Sequence, residues 1–301
     1  MASPVLATPS TPPPDPTIAI QYGILVQKAE AVPPAETVYN PGDVINVAYG
    51  AINVNYKVVT TFFGNDLATD VNPGRCSQIV SFGFVAQDPA GNAVIAIRGT
   101  EGISEWAQDA KFLAVKCPFL AGAGLTEDGF TDVYESLRVG RDQGGKSLVD
   151  ALSVLPFPNA LASLTICGHS LGGALATLLA LDIGANTKFG RDLRAYTYAS
   201  PRTGDPSFVD TYNQVVPHTV RIANRLDLVP KLPLPPAYEH VDGVVDLNPM
   251  LKVKLDLTMR TPPGDIPVPP LITDWRYRVS SSRGVRFLAY LLASTKHLIV
   301  N

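Results

Sequence analysis

The stretch Leu164-Thr165-Ile166-Cys167-Gly168-His169-Ser170-Leu171-Gly172-Gly173-Ala174-Leu175-Ala176 constrains this chain more than any other. A serine stands between a strand-like and a helix-like apolar run, with Gly168 and Gly172 two positions to either side. The G-x-S-x-G spacing lets a backbone turn sharply from strand into helix, because residues without a Cβ can approach one another at the base of the turn. A serine hydroxyl is a weak nucleophile, and such a turn lifts it to the rim of a sheet where a base can reach it. The pentapeptide also arises by chance in glycine-rich βα turns, so its flanks decide. Residues 164–167 read as a buried strand, and residues 174–183 are almost wholly apolar up to Gly184, a helix stop. That order predicts a nucleophile elbow with Ser170 as an acyl-transfer nucleophile.

With 301 residues, 46% of them hydrophobic and 17% charged, the chain can bury the core of one large α/β domain. A formal net charge of −3 gives no sign of a nucleic-acid partner, and the apolar content argues against disorder. No apolar run approaches the roughly 20 residues a transmembrane helix needs, so no transmembrane segment is expected. The three cysteines, Cys76, Cys117 and Cys167, have no metal-ligand spacing, and neither a metal nor another cofactor is expected. Cys167 reads as a buried, inert thiol, while Cys76 and Cys117 could pair.

Residues 1–16, rich in Pro, Ser, Thr and Ala, are expected to form a flexible leader, and residues 17–301 a single domain. The leader lacks the basic start and apolar core of an intact secretory signal. A secreted mature protein and a cytoplasmic protein with a tail would both begin this way; secretion is the working expectation.

The predicted elements alternate. A helix is expected over residues 16–31 and strands over 56–63, 79–86 and 93–97, the last two flanking the turn Gln87-Asp88-Pro89-Ala90-Gly91-Asn92. Further strands are expected over 193–199 and 218–223, with helices over 130–141, 145–155 and 171–183. This alternation predicts a mainly parallel sheet covered on both faces, with functional residues beyond the carboxyl ends of its strands. Leu251, Val253, Leu255, Leu257 and Met259 alternate strictly, and with residues 274–280 they predict an antiparallel extension.

A serine nucleophile on such a sheet needs an orienting carboxylate and a base, in the chain order Ser, Asp, His. Asp227 lies just past the strand signal at 219–223, where that carboxylate belongs; Asp205, in a tight turn, is the reserve and reads better as a local backbone acceptor. Of the four histidines, His169 should point away from the Ser170 hydroxyl and His218 precedes the acid. His240 and His297 remain, and His297 is placed first because a longer return from Asp227 is available to it. The backbone N–H of Leu171, at the start of the following helix, is expected as one oxyanion donor and Thr100, after the strand at 93–97, as the other. Beyond Thr100, Ile103, Trp106, Ala107 and Ala110 fall on one side of a short amphipathic helix. That pattern fits an ordinary surface helix, and in this place also a lid over an acyl groove.

In combination these motifs resemble the fungal-type, or class 3, lipase family of the α/β-hydrolase fold. The resemblance runs over about residues 82–246. It rests on Ile97-Arg98-Gly99-Thr100 with Trp106 and Asp109, Gly129-Phe130 with Tyr134, and Gly168-His169-Ser170-Leu171-Gly172-Gly173. To these it adds Tyr198-Ala199-Ser200-Pro201-Arg202-Thr203-Gly204-Asp205, Asp227-Leu228-Val229-Pro230-Lys231-Leu232-Pro233 and Tyr238-Glu239-His240-Val241. It implies hydrolysis of acylglycerol or related esters, Ser170 as nucleophile, Asp227 as acid, Thr100 and Leu171 at the oxyanion hole, and a lid around Trp106. It also implies a structural role for His240 and a catalytic histidine near the C-terminus, usually followed closely by a tyrosine. His297-Leu298-Ile299-Val300 lacks that tyrosine, and residues 251–274 look longer than usual for the family.

The expectation is therefore a triacylglycerol lipase or carboxylesterase of the α/β-hydrolase fold, using a Ser170-Asp227-His297 triad without cofactor, on an ester or lipid substrate met at a lipid–water interface. A feruloyl esterase or a phospholipase on the same scaffold, or an inactive lipid-binding hydrolase fold, are the alternatives. Oligomeric state is not legible.

Overall fold

The computed structural model describes residues 15–30, 38–65, 79–99, 112–140, 145–225 and 227–247. Among them, nine strands form one sheet: β1 (Val44–Tyr49), β2 (Ile52–Asn65), β3 (Ile79–Gln87), β4 (Asn92–Ile97), β7 (Arg138–Val139), β8 (Ser163–His169), β9 (Leu193–Tyr198), β10 (Thr219–Asn224) and β11 (Val244–Leu247). Their order is β1-β2-β3-β4-β8-β9-β10-β11, with β7 paired to β2. From β4 to β11 every pairing is parallel; from β4 back to β1 every pairing is antiparallel. The antiparallel part of the sheet is thus N-terminal among the described residues, and the extension expected over 251–259 and 274–280 lies outside them. A separate hairpin joins β5 (Ala114–Lys116) to β6 (Leu125–Glu127).

Period-two alternation sorts the strand residues onto two faces. Ile95 and Ile97 of β4, Leu164 and Ile166 of β8 and Ala195 of β9 enter one core, packed with α2 (Asp128–Ser136), α3 (Leu148–Leu152), α4 (Leu171–Asn186) and α5 (Pro206–Val215). Val94, Ala96, Cys167, Tyr196 and Tyr198 enter the other, packed with α1 (Pro16–Glu30). Both faces are covered, so β8 is buried from Leu164 to Gly168 and reads as a continuous apolar run. α4 is buried from Leu171 to Ile183 because sheet, α2 and α5 enclose it, which is why it lacks a polar face.

Several buried polar side chains bond across these cores. Tyr134 Oη on α2 donates to Asp182 Oδ2 on α4 at 2.6 Å, and Asn186 Nδ2 donates to Asp182 Oδ1 at 2.7 Å. On the other face, the Tyr198 hydroxyl donates to the carbonyl of Ala19, and Thr165 Oγ1 donates to Tyr22 Oη at 3.1 Å. These bonds hold α1 against the centre of the sheet. Burial alone raises the Cys167 thiol far above its ordinary range, consistent with an inert core cysteine, and Cys117 is a buried free thiol. Cys76 lies outside the described residues.

The expected elements form with small shifts: the helix expected over 130–141 is α2 at Asp128–Ser136, and that over 145–155 contracts to α3 at Leu148–Leu152. β1, β11, the β5–β6 hairpin and α5 have no counterpart in the sequence reading. α5 is the instructive case. Asp205, read as a turn residue bonding nearby amides, caps it: Oδ1 accepts from Phe208 N at 2.8 Å and from Leu125 N at 2.9 Å. No described helix is long and apolar enough to cross a membrane.

Candidate active site

Parallel strands end together, and the chain leaves β4, β8, β9 and β10 at one edge of the sheet, as the topology of open α/β sheets requires. Arg98-Gly99 follows β4, Ser170 follows β8, Ala199-Ser200 follows β9 and Asp227 lies beyond β10.

Ser170 sits at φ 55° and ψ −124°, a conformation that side chains with a Cβ rarely adopt. The elbow is held in it by close packing. A Cβ on Gly168 would lie 2.0 Å from the carbonyl oxygen of Gly172, one on Gly172 2.3 Å from that of Arg98, and one on Gly173 2.7 Å from Cβ of Ser200. These positions admit only glycine. Ser170 N–H donates to Tyr198 O at 2.9 Å and its carbonyl accepts from Gly173 N at 2.9 Å, so the backbone of the elbow is tied to both β9 and α4.

The hydroxyl itself is left over. Ser170 is 3% exposed, does not cap α4 with its side chain, and its Oγ has no hydrogen-bond partner among the described residues. A buried hydroxyl without a partner is costly, which marks a position kept for something other than stability. Leu171, the first residue of α4, presents one of the backbone N–H groups that a helix start leaves without an intrahelical acceptor, where the helix dipole favours negative charge.

Asp227 is half-buried beyond β10. Its N–H donates to Asn224 O at 3.0 Å, and its Oδ1 accepts from Val229 N at 3.0 Å. Burial pushes its carboxyl above the ordinary aspartate range, opposed by the Val229 amide and by the positive fields of His169 and Lys231. The loop carrying it is fixed from two sides. Arg202 Nη1 donates to Lys231 O at 2.5 Å and to Pro233 O at 2.8 Å, and His240 Nε2 lies 2.6 Å from Pro230 O. A carbonyl can only accept, so His240 Nε2 carries the proton. Burial, followed by the fields of Arg221 and Arg202, lowers the His240 imidazolium to about 3. It is a neutral strut.

His169, next to the serine, points away from it as expected: its Nδ1 is 2.6 Å from Glu30 Oε1 at the end of α1. That contact had no signal in the sequence, because Glu30 belongs to none of the motifs. Two more residues were missed. Glu127 caps α2 by accepting from Phe130 N at 2.8 Å, and burial raises its carboxyl to about 7. Tyr238 Oη donates to the carbonyls of Phe112 and Leu113 at 3.0 and 2.9 Å, anchoring the chain that follows residues 100–111. Both lie in or beside quoted motifs, but only the fold brings them to the hairpin. The structure therefore brings Ser170, Leu171 and Asp227 to one edge of the sheet. Thr100, Ile103, Trp106 and His297 lie outside the described residues, as does the leader through residue 14. Among the described residues no cluster of metal-ligating side chains occurs.

Residues 94–236 match the sequence model of the family Lipase (class 3). Over 161 residues the chain is 35% identical to the secreted mono- and diacylglycerol lipase A of Penicillium cyclopium, covering 53% of this chain and 49% of that protein. Over 182 residues it is 31% identical to phospholipase A1-II 3 of Oryza sativa subsp. japonica, covering 53% and 43%. The chain thus matches about half the length of these curated relatives or less. A crystal structure of a mutant MDLA from Penicillium cyclopium superposes with a TM-score of 0.55 at 24% identity, over 78% of this chain and 81% of that one. Through residues 94–236, the segment that carries the elbow and Asp227, this chain resembles the class 3 lipase family, on an α/β-hydrolase fold.

Proposed function

We propose that the chain is a serine hydrolase of carboxylic esters, acting on acylglycerols at a lipid–water interface. The observation that carries this reading is the Ser170 hydroxyl: buried, on a strained backbone, unspent on any described partner, and at the same edge of the sheet as the Asp227 carboxylate, with β9 between their two strands.

In this reading Ser170 Oγ attacks the ester carbonyl as His297 takes its proton, and Asp227 orients the imidazole and stabilises its cation. The carbonyl oxygen becomes an oxyanion bound by the backbone N–H groups of Leu171 and Thr100. Collapse breaks the bond to the alcohol, which leaves with the proton held by His297. Water then attacks the acyl-enzyme by the same route and releases the fatty acid. Ile103 and Trp106 form the apolar face of a lid over the acyl groove. The name of the Penicillium relative supports acylglycerols and secretion; the rice relative favours a second reading, release of an acyl chain from a phospholipid.

A fluorophosphonate probe tests the chemistry: wild-type protein is labelled at Ser170 and Ser170→Ala is not. Turnover of emulsified mono-, di- and triacylglycerols against phosphatidylcholine vesicles separates the two substrate readings. A wild-type protein that resists the probe and hydrolyses none of these esters refutes the proposal.

A further inference from the structure

The pairing of β4 with β8 ends at Ile97 opposite Gly168. Beyond that point Arg98 N–H turns to Phe82 O on β3, at 2.8 Å, so the strand pairing no longer holds the loop after β4 against the elbow after β8. A side chain takes over. Glu30 Oε1 accepts from Gly99 N at 3.4 Å and lies 2.6 Å from Nδ1 of His169; a carboxylate oxygen can only accept, so the ring nitrogen is the second donor. One oxygen thereby spans the residue before Thr100 and the residue before Ser170.

Two features set this carboxylate apart from a surface charge. Its side chain is 8% exposed, and a carboxylate is buried only where hydrogen bonds compensate its lost hydration. It is also the last residue of α1, where the helix dipole disfavours negative charge. Local preference argues against glutamate at this place; the two donors across the sheet edge argue for it. The wedge is tight, for a Cβ on Gly99 would lie 3.1 Å from His169 O and 3.3 Å from both Glu30 Oε1 and His169 Nδ1.

We propose that Glu30 is a positioning residue that fixes the distance between the oxyanion-binding loop and the nucleophile elbow, a role that rests on the serine-hydrolase reading above. It touches neither substrate nor reacting atoms. A donor displaced by a fraction of an ångström binds the oxyanion worse in the transition state than it binds the ester in the ground state, so the effect falls on kcat and spares KM.

The test uses the full chain with Glu30→Leu, Glu30→Gln and Glu30→Asp, a soluble p-nitrophenyl butyrate ester, the rate of fluorophosphonate labelling, and the denaturation midpoint. Glu30→Leu slows both kcat and labelling by about 10- to 100-fold with KM held within about threefold. Glu30→Gln, whose amide oxygen can accept from both donors, returns both rates to within about threefold of wild type. Glu30→Asp, one methylene short, reproduces the loss in a chain that keeps its charge, and it replaces the leucine variant if that one does not fold. Wild-type rates in folded Glu30→Leu or Glu30→Asp overturn the role, as does a glutamine variant as slow as the leucine one. A wild-type protein that the probe leaves unlabelled overturns the hydrolase reading and this role with it; a labelled wild type beside an equally fast variant overturns the positioning role alone.

Discussion

His240 donates its Nε2 proton to the carbonyl of Pro230 across 2.6 Å, and so is committed to the loop that presents Asp227. A ring held in that way is a brace. The expected outcome for His240→Ala is a loss of ester turnover smaller than about 100-fold, where removal of a group acting in concert with the nucleophile costs on the order of a millionfold. The brace still counts for stability, since an unmet buried carbonyl costs about 1–3 kcal/mol. Comparison of His240→Ala with His297→Ala in kcat and denaturation midpoint checks both halves. Collapse of turnover in the first with survival in the second would assign the base to His240.

Gly172 lies against the end of β4, and a methyl group there would sit 2.3 Å from Arg98 O and 2.6 Å from Ile97 O. Backbone on both sides cannot yield cheaply. Gly172→Ala is expected to cost about 1–3 kcal/mol through overpacking. It should also slow fluorophosphonate labelling, because the displaced carbonyls immediately precede the loop of Gly99. Urea unfolding and labelling rate measured on the same preparation check it; an unchanged midpoint contradicts the packing argument.

Glu127 gives stability a pH dependence of definite sign. Its carboxyl titrates near 7 in the fold and near 4.5 in the unfolded chain, so the folded state holds its proton more tightly. Its contribution is complete below about 4.5 and is lost as pH rises through about 7, a change on the order of 3 kcal/mol. His240, lowered from 6.5 to about 3, acts oppositely: its contribution is present above 6.5 and is lost as pH falls toward 3. The clean readout is therefore the difference between wild type and Glu127→Gln at each pH. That difference should shift in favour of the variant between pH 5 and 8; a constant difference in chemical-denaturation midpoints would rule the titration out.

The Tyr134–Asp182 bond ties α2 to α4 inside the core. Tyr134→Phe keeps the ring and removes only the donor. Loss of a hydrogen bond to a buried carboxylate is expected to cost about 1.5–3 kcal/mol. Ester turnover should persist, because Asp182 lies three helical turns along α4 from Ser170. A guanidinium titration of the variant beside wild type checks the figure, and a loss below about 0.5 kcal/mol would show that the carboxylate finds another partner.

Local features of the chain carried a good part of this fold. Ser170 and its glycines announced a strand-turn-helix because only glycine tolerates backbone contacts as close as those at Gly168 and Gly172. The central strands β4, β8 and β9 were legible as apolar runs because both their faces are covered, and Asp227 because a strand signal precedes it. β1 and β11 were not, since short, half-exposed segments leave little periodicity to read; α5 was missed although Asp205-Pro206 and the apolar face of Phe208, Val209 and Tyr212 carry its signal.

What the amino-acid order determined by itself was the chemistry on offer: a serine that a sharp turn must expose, an aspartate after a strand, and helices and strands in alternation. Tertiary structure alone decided the partners. That Glu30 meets Gly99 and His169, that His240 braces Pro230, and that Tyr134 finds Asp182 are contacts between residues 10 to 139 positions apart. Periodicity records which face of its own element a residue occupies. Which foreign element that face will meet depends on how the sheet is ordered and twisted, and that is settled only when the two cores close on it.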